Sequence, residues 1–258
     1  MAIELEGGCR VSEMNEGNPE IAGSMKIWRH IGRATGAKAI SLRVIEFAQG
    51  QSPLIQNDTA DEVFYYLEQI EGSPVTNERC KVEISGYPFD VKAQTGIYLQ
   101  PGSRMTVRNQ SPEPVIFVGV QCPEIPTSLD RAVNETAKTS KGSFPGVRLA
   151  DRAAIPTANR WYRVLVDDEV GSRQVTQFVG SIPPGRAPDH FHQYEEVLFI
   201  LRGQGRMWAG ETSTPIGPGS CVYLPKGQVH CVENTGTDEL RLLGVFYPAG
   251  SPAVRYED

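Results

Sequence analysis

Two stretches of this chain repeat each other, and the repeat limits the fold more than any other feature. GIYLQPGSRMTVRN, from Gly96 to Asn109, lies over CVYLPKGQVHCVEN, from Cys221 to Asn234, at a constant offset of 125. Tyr98 matches Tyr223, Leu99 matches Leu224, Gly102 matches Gly227 and Asn109 matches Asn234. DEVFYYLE, from Asp61, lies over EEVLFILR, from Glu195, at an offset of 134. Two blocks in the same order, matched at turn glycines and tyrosines, point to a duplicated unit. The larger second offset means that the first half carries a longer insertion between its two blocks.

Each unit is rich in short strand patterns. AISLRVIEFAQG (from Ala39), EVFYYLE (from Glu62), CKVEIS (from Cys80) and PVIFVGVQCP (from Pro114) read as strands in the first half. RWYRVLVDDEVGSRQVTQFVGSIPPG, from Arg160 to Gly185, reads as a hairpin turning near Asp167 to Gly171. EVLFILRG, GRMWAGE, SCVYLP and LRLLGVFYP continue the pattern. No stretch holds a long 3.6-residue period, and 26 glycines with 19 prolines supply many turns. The expected class is therefore all-β. The segment from Ile125 to Ala158 is polar and weakly patterned, and reads as a linker with room for one short helix.

A net charge of -6, with no basic cluster, argues against nucleic acid and against an anionic membrane surface. No apolar run approaches the roughly 18 residues of a membrane span, and MAIELEGGCR lacks the basic-then-apolar order of a secretory signal. The five cysteines are odd in number and widely spaced. Buried thiols in a reducing cytoplasm are expected rather than a disulfide framework. Cys221 and Cys231 flank a turn, but spacing alone does not bring them together.

The chemistry is concentrated in PDHFHQYEEVLFILRGQG, from Pro188 to Gly205. Of four histidines in the chain, two stand here one residue apart. Residues i and i+2 of a strand share a face, so His190 and His192 present two imidazoles to one side. Gln193 to Glu195 make the turn and Glu196 opens the next strand. His230 follows the turn PKGQ. Three imidazoles with one carboxylate suit a borderline divalent ion and leave coordination positions open. The fourth histidine, His30, has no evident partner.

These residues carry a family resemblance. GRAPDHFHQYEEVLFILRG looks like the first cupin motif, with four residues rather than the usual five between Gly185 and His190. GSCVYLPKGQVHCVEN resembles the second motif throughout, at Gly219, Pro225, Gly227, His230 and Asn234. The resemblance implies two tandem cupin barrels of the double-stranded β-helix, or jelly-roll, type. It implies a metal held by His190, His192, Glu196 and His230: one divalent transition ion, Fe, Mn, Ni, Co or Zn. At the corresponding places the first half has Gln56, Asp58, Glu62 and Met105, with no imidazole, so a barrel without metal is expected there. The expected division is a degenerate N-terminal barrel over 1–124, a linker over 125–158 and a metal-binding barrel over 159–258.

If Glu196 faces inward, the strand period turns Leu198 and Ile200 inward as well, and Val232 after His230. These three are the expected substrate contacts. Trp208, Tyr223, Phe246 and Tyr247 are candidates for the barrel mouth. Glu195 is either a base behind the ligands or a solvated turn residue. The ligand set fits a small oxygenated organic substrate and chemistry of the dioxygenase type. Cupins also include isomerases, decarboxylases and hydrolases. Ureidoglycine aminohydrolases share the two-barrel layout, although their site has a His where Glu196 stands. A non-catalytic, metal-anchored small-molecule sensor is the other reading, and pairing of sheet edges into a homodimer is a further expectation.

Overall fold

The computed structural model describes residues 1–68, 80–123 and 144–253. Its strands form two barrels, each of two facing antiparallel sheets. In the first barrel a seven-stranded sheet runs in the order Gly146–Arg148, Thr95–Leu99, Asp61–Tyr66, Val115–Cys122, Leu42–Phe47, Met25–Ile31, Glu20–Ala22. It faces a smaller sheet built on Cys80–Ile84, Tyr87–Val91 and Arg104–Asn109. In the second barrel an eight-stranded sheet centres on Ser220–Leu224, Glu195–Arg202, Leu240–Tyr247 and Thr176–Ile182, and ends in the hairpin of Arg160–Val166 with Ile155–Thr157. Its partner sheet holds Gly185–Arg186, His230–Asn234, Gly205–Ala209 and Thr212–Ile216. The expected linker helix falls mostly outside the described residues; within them the only helical turn of the stretch is the short 3-10 turn Leu149–Asp151. No helix among the described residues is long and apolar enough to cross a membrane.

The large sheets pack back to back, which explains why their central strands read as unbroken apolar runs. Both faces are buried, so no polar face alternates with the apolar one. Val63, Tyr65, Val118, Val179, Val197, Phe199 and Val245 belong to one cluster at the seam between the barrels. Their neighbours one residue away turn inward. Phe64, Tyr66 and Phe117 fill the first barrel, and Leu198, Ile200 and Phe246 belong to the interior of the second. Burying each large apolar side chain contributes about 1.5–3 kcal/mol.

The matched residues of the repeat do matched work. Asn109 Nδ2 donates to the carbonyls of Phe47 and Glu113, at 3.1 and 2.8 Å, and its Oδ1 accepts from Ser111 N. Asn234 Nδ2 donates to Ile182 and Asp238, at 2.8 and 2.7 Å, and its Oδ1 accepts from Gly236 N. Each asparagine ties a strand end to the turn that follows it. Gly102 and Gly227 both take left-handed backbone, at φ of 80° and 79°, where a β-carbon is strained.

Sheet membership departs from the expected division at 124 and 159 in both directions. The segments Ile3–Glu4 and Arg10–Glu13 extend the second barrel's large sheet through pairing with Ser220–Leu224. Gly146–Arg148, expected in the linker, extends the first barrel's large sheet beside Thr95–Leu99. The physical reason is that an uncovered sheet edge offers unpaired backbone donors and acceptors, and the nearest extended segment satisfies them. His30 is drawn into this arrangement. It is buried, its Nε2 lies 3.0 Å from Met14 O, and its Nδ1 lies 3.2 Å from Ser12 Oγ. The residue without an evident partner in the sequence therefore fastens the N-terminal arm to the first barrel.

Candidate metal centre

His190 and His192 enter on a short extended stretch beside the second barrel's smaller sheet. His190 N donates to His230 O and His230 N to His190 O, at 3.1 and 2.8 Å, and Gly227 N donates to His192 O. These main-chain bonds set the two motifs side by side. The imidazole centroids lie 4.5 Å apart for His190 and His230, 5.0 Å for His190 and His192, and 5.4 Å for His192 and His230. One ring nitrogen from each lies within 4.8 Å of the others, the one such cluster found among the described residues. Glu196 Oε2 stands 3.5 Å from His192 Nε2 and 3.8 Å from His230 Nε2. Three of the four residues expected as a donor set thus converge, and Glu196 stands beside two of them, His192 and His230.

The rings are prepared as donors. His190 Nδ1 lies 3.0 Å from Pro188 O, and His230 Nδ1 lies 2.7 Å from Gln228 O. A carbonyl only accepts, so each Nδ1 carries the proton and each Nε2 keeps a lone pair toward the cluster. Burial, reinforced by His190, pushes the imidazole of His192 down to about 4 and that of His230 down to about 3. Burial also raises Glu196 well above the usual carboxylate range. Neutral imidazoles are what a metal needs, and a carboxylate without a nearby cation resists ionisation until one arrives. His192 Nδ1 is buried without a hydrogen-bond partner among the described residues. The chemistry of this donor set fits a divalent ion.

Above the donors lies a cavity of about 100 Å³. Its walls are apolar: Phe178, Leu198, Val232, Leu242 and Phe246, with Tyr162 beside them. Of the expected substrate contacts, Leu198 and Val232 line it, but Ile200 does not. Ile200 faces inward as expected, yet each two-residue step advances about 6.6 Å along a strand. Two steps beyond Glu196 it is sealed in the barrel core, with no exposed surface.

The aromatic candidates separate by face. Phe246 lines the cavity, with its ring 5.5 Å from His192, 4.6 Å from Tyr194 and 4.9 Å from Phe178. Trp208 instead donates through Nε1 to Glu233 beneath Arg186, and Tyr247 packs against the seam. Tyr223 also turns away from the cavity, and its hydroxyl bonds Glu195.

Glu195 is neither solvated nor behind the ligands. It is buried, and its carboxylate accepts from Lys38 N at 2.8 Å and Ala39 N at 2.7 Å as well as from Tyr223. It faces the seam with Val197 and Phe199, opposite in parity to Glu196, and fastens one barrel to the other. Cys221 and Cys231 do not pair; all five cysteines are buried and free. Sequence reasoning missed Tyr194, whose ring stacks on His192 at 4.9 Å and 9°, although its i+2 spacing from His192 was a usable signal. It also missed Thr157 and Arg160, which line the cavity and which no spacing in the chain singles out.

The cupin domain family matches residues 178–246. Auxin-binding protein 1 of Arabidopsis thaliana is 30% identical over 98 residues, which cover 34% of this chain and 50% of that protein. The oxalate-binding protein of Thermotoga maritima is 35% identical over 67 residues, covering 25% of this chain and 55% of that one. The chain thus spans about half the length of these relatives. Among solved structures, the protein Ylba of E. coli shares the fold with a TM-score of 0.73 at 14% identity, over 95% of this chain and 93% of that one. Oxalate decarboxylase of Bacillus subtilis aligns with a TM-score of 0.68 at 14% identity, over 92% of this chain and 75% of that one. The second barrel thus matches the cupin domain family across the donor cluster, and the chain as a whole shares the two-barrel fold of these solved structures.

Proposed function

We propose that the second barrel holds one divalent transition metal through His190, His192, Glu196 and His230, and that the protein is an oxygen-dependent enzyme of the dioxygenase type acting on a small oxygenated organic molecule. The observation that carries this reading is the convergence of three imidazoles, two with Nδ1 pinned by a carbonyl, at the floor of an apolar cavity. When bound, such an ion supplies Lewis acidity and a template for two reactants. Phe178, Leu242 and Phe246 keep water from the floor and hold the body of the substrate. Tyr194 and Phe246, packed against each other, fix the plane of His192. The two carbonyl contacts keep His190 and His230 from turning their protonated nitrogens toward the substrate.

A specific observation favours a second reading. Apart from the four donors, no carboxylate, imidazole or thiol lines the cavity among the described residues. Residues that carry protons for a reaction are thus scarce, which suits a metal-anchored binding protein, and two relatives are named for binding auxin and oxalate. Metal content and oxygen consumption separate the readings. Anaerobically purified protein is expected to hold about one transition ion per chain, and loading with Fe(II) or Mn(II) to support oxygen uptake with a member of a panel of diols, flavonols and keto acids. Metal without turnover on any of them leaves the binding protein; absence of metal removes both readings.

A further inference from the structure

The three imidazoles of the cluster are not held alike. His190 and His230 each set Nδ1 against a nearby carbonyl, Pro188 O and Gln228 O. His192 Nδ1 is buried and has no hydrogen-bond partner among the described residues. Its ring is held by packing instead. Tyr194 stacks on it, with 4.9 Å between centroids and 9° between planes, and Phe246 packs on both rings.

Tyr194 is in turn held from beyond the last strand. After Leu240–Tyr247 the chain continues through residues 248–253, and Pro252 lines the same cavity as the donors. The Tyr194 hydroxyl donates to Ser251 O at 3.3 Å. Gly250 lies directly against the ring: a β-carbon there would stand 2.6 Å from Tyr194 Cε1 and 2.9 Å from Cζ. Only glycine lets the backbone come this close. Gly250 N donates to Thr176 Oγ1 at 3.2 Å, which ties the segment to the strand Thr176–Ile182. The first barrel supplies an internal control. At the offset of 134, Asp58 and Ala60 stand where His192 and Tyr194 stand in the second barrel. The station without an imidazole thus also has no ring to stack on one.

Resting on the metal reading of the same cluster, we infer that Tyr194 is the positioning residue for His192, and that residues 248–253 are a strap holding Tyr194 in place. The strap acts on the donor set through the Tyr194 ring. Partners behind a metal ligand fix its orientation, and a ligand left free to turn lets the ion go sooner. His192 has a stacked ring in the place where the other two histidines have a carbonyl. The hold on the ion therefore depends on a segment that supplies none of the four donors.

The test loads the full chain with Co(II) and measures the visible absorption of the bound ion and its rate of loss to EDTA. Tyr194→Leu should release Co(II) about tenfold faster than wild type, with a shifted absorption band, and Tyr194→Phe, which keeps the stacking ring, should stay within about threefold. Gly250→Ala, which pushes the strap and the ring apart, should release the ion about threefold faster. The melting temperature of the metal-free proteins is the control. A Tyr194 that only fills space would lower that temperature in Tyr194→Leu and leave the absorption band and the release rate unchanged. That result, or a Tyr194→Phe as fast as Tyr194→Leu, would overturn the positioning role. Release from Gly250→Ala at or below the wild-type rate would overturn the strap. Wild-type protein that takes up no Co(II) overturns the metal reading and this assignment with it, whereas uptake with unaltered variants overturns the assignment alone.

Discussion

Both barrels carry a buried glutamate at the same station, Glu62 in the first and Glu196 in the second, and surround it with opposite chemistry. Glu62 lies opposite Gln121 on the neighbouring strand, and Glu196 lies opposite Phe246. On the next strand over, Arg43 and Phe178 correspond, each facing a glycine, Gly119 or Gly244. In the first barrel Arg43 reaches Glu62 at 3.0 Å and Gln121 Nε2 donates to it at 2.7 Å. In the second, two phenylalanines and two imidazoles take those surroundings. A buried carboxylate needs a cation close by. One barrel supplies that cation from a strand of its own sheet, and in the other no lysine or arginine lies beside Glu196 among the described residues. The first barrel therefore differs by more than missing histidines. Met105 is sealed in its core, Gln56 Nε2 bonds Asp58, and Arg43 stands where an ion would be needed.

The largest expected effect breaks the contrast at its working end. His192→Ala or His230→Ala should lower metal from about one ion per chain to near zero, measured by elemental analysis, with far-UV circular dichroism unchanged. The converse experiment sharpens it. Placing histidine at Gln56, Asp58 and Met105 should add no second ion while Arg43 remains, and adding Arg43→Phe should raise the metal content toward two per chain.

Next in size, Arg43→Met should cost about 3–5 kcal/mol in urea unfolding, because it strands a buried carboxylate. Combining it with Glu62→Gln should recover at least half of that loss. Glu195→Gln should cost about 1.5–3 kcal/mol by weakening charge-assisted bonds across the seam, with metal content unaffected. Asp61→Asn, at the matching station, should cost less, since Asp61 is held by Tyr98 and, among the described residues, is not bonded to the other barrel's main chain.

The smallest effect concerns pH. Burial holds the His30 imidazole below its ordinary range. The unfolded chain then takes up the proton more readily than the folded one. This contribution to stability is present above about pH 6.5 and is lost as pH falls below that value. His30→Gln should flatten the dependence of the urea midpoint between pH 7 and pH 5.

The repeat, the all-β class and the clustering of three histidines were legible because they rest on periods and turns local to the chain. Leu198 and Val232 followed from strand parity alone. Parity also placed Glu195 on the opposite face, but not what covers that face. Only the packed seam shows that Lys38 and Ala39 meet it. Ile200 failed for a related reason, since parity gives direction but not depth. Arg160 was hidden because its place on the cavity wall depends on how the hairpin of Ile155–Thr157 and Arg160–Val166 packs on the rest of the barrel.

The exchange of edge strands has a consequence for how the halves can be separated. A fragment cut after the linker would carry the donor cluster but lack the strand that Arg10–Glu13 lays along Ser220–Leu224, leaving an open β edge ready to pair with other molecules. During synthesis that arm leaves the ribosome long before its berth exists. The second barrel is finished only when Arg10–Glu13 meets Ser220–Leu224, so the two halves mature as one object.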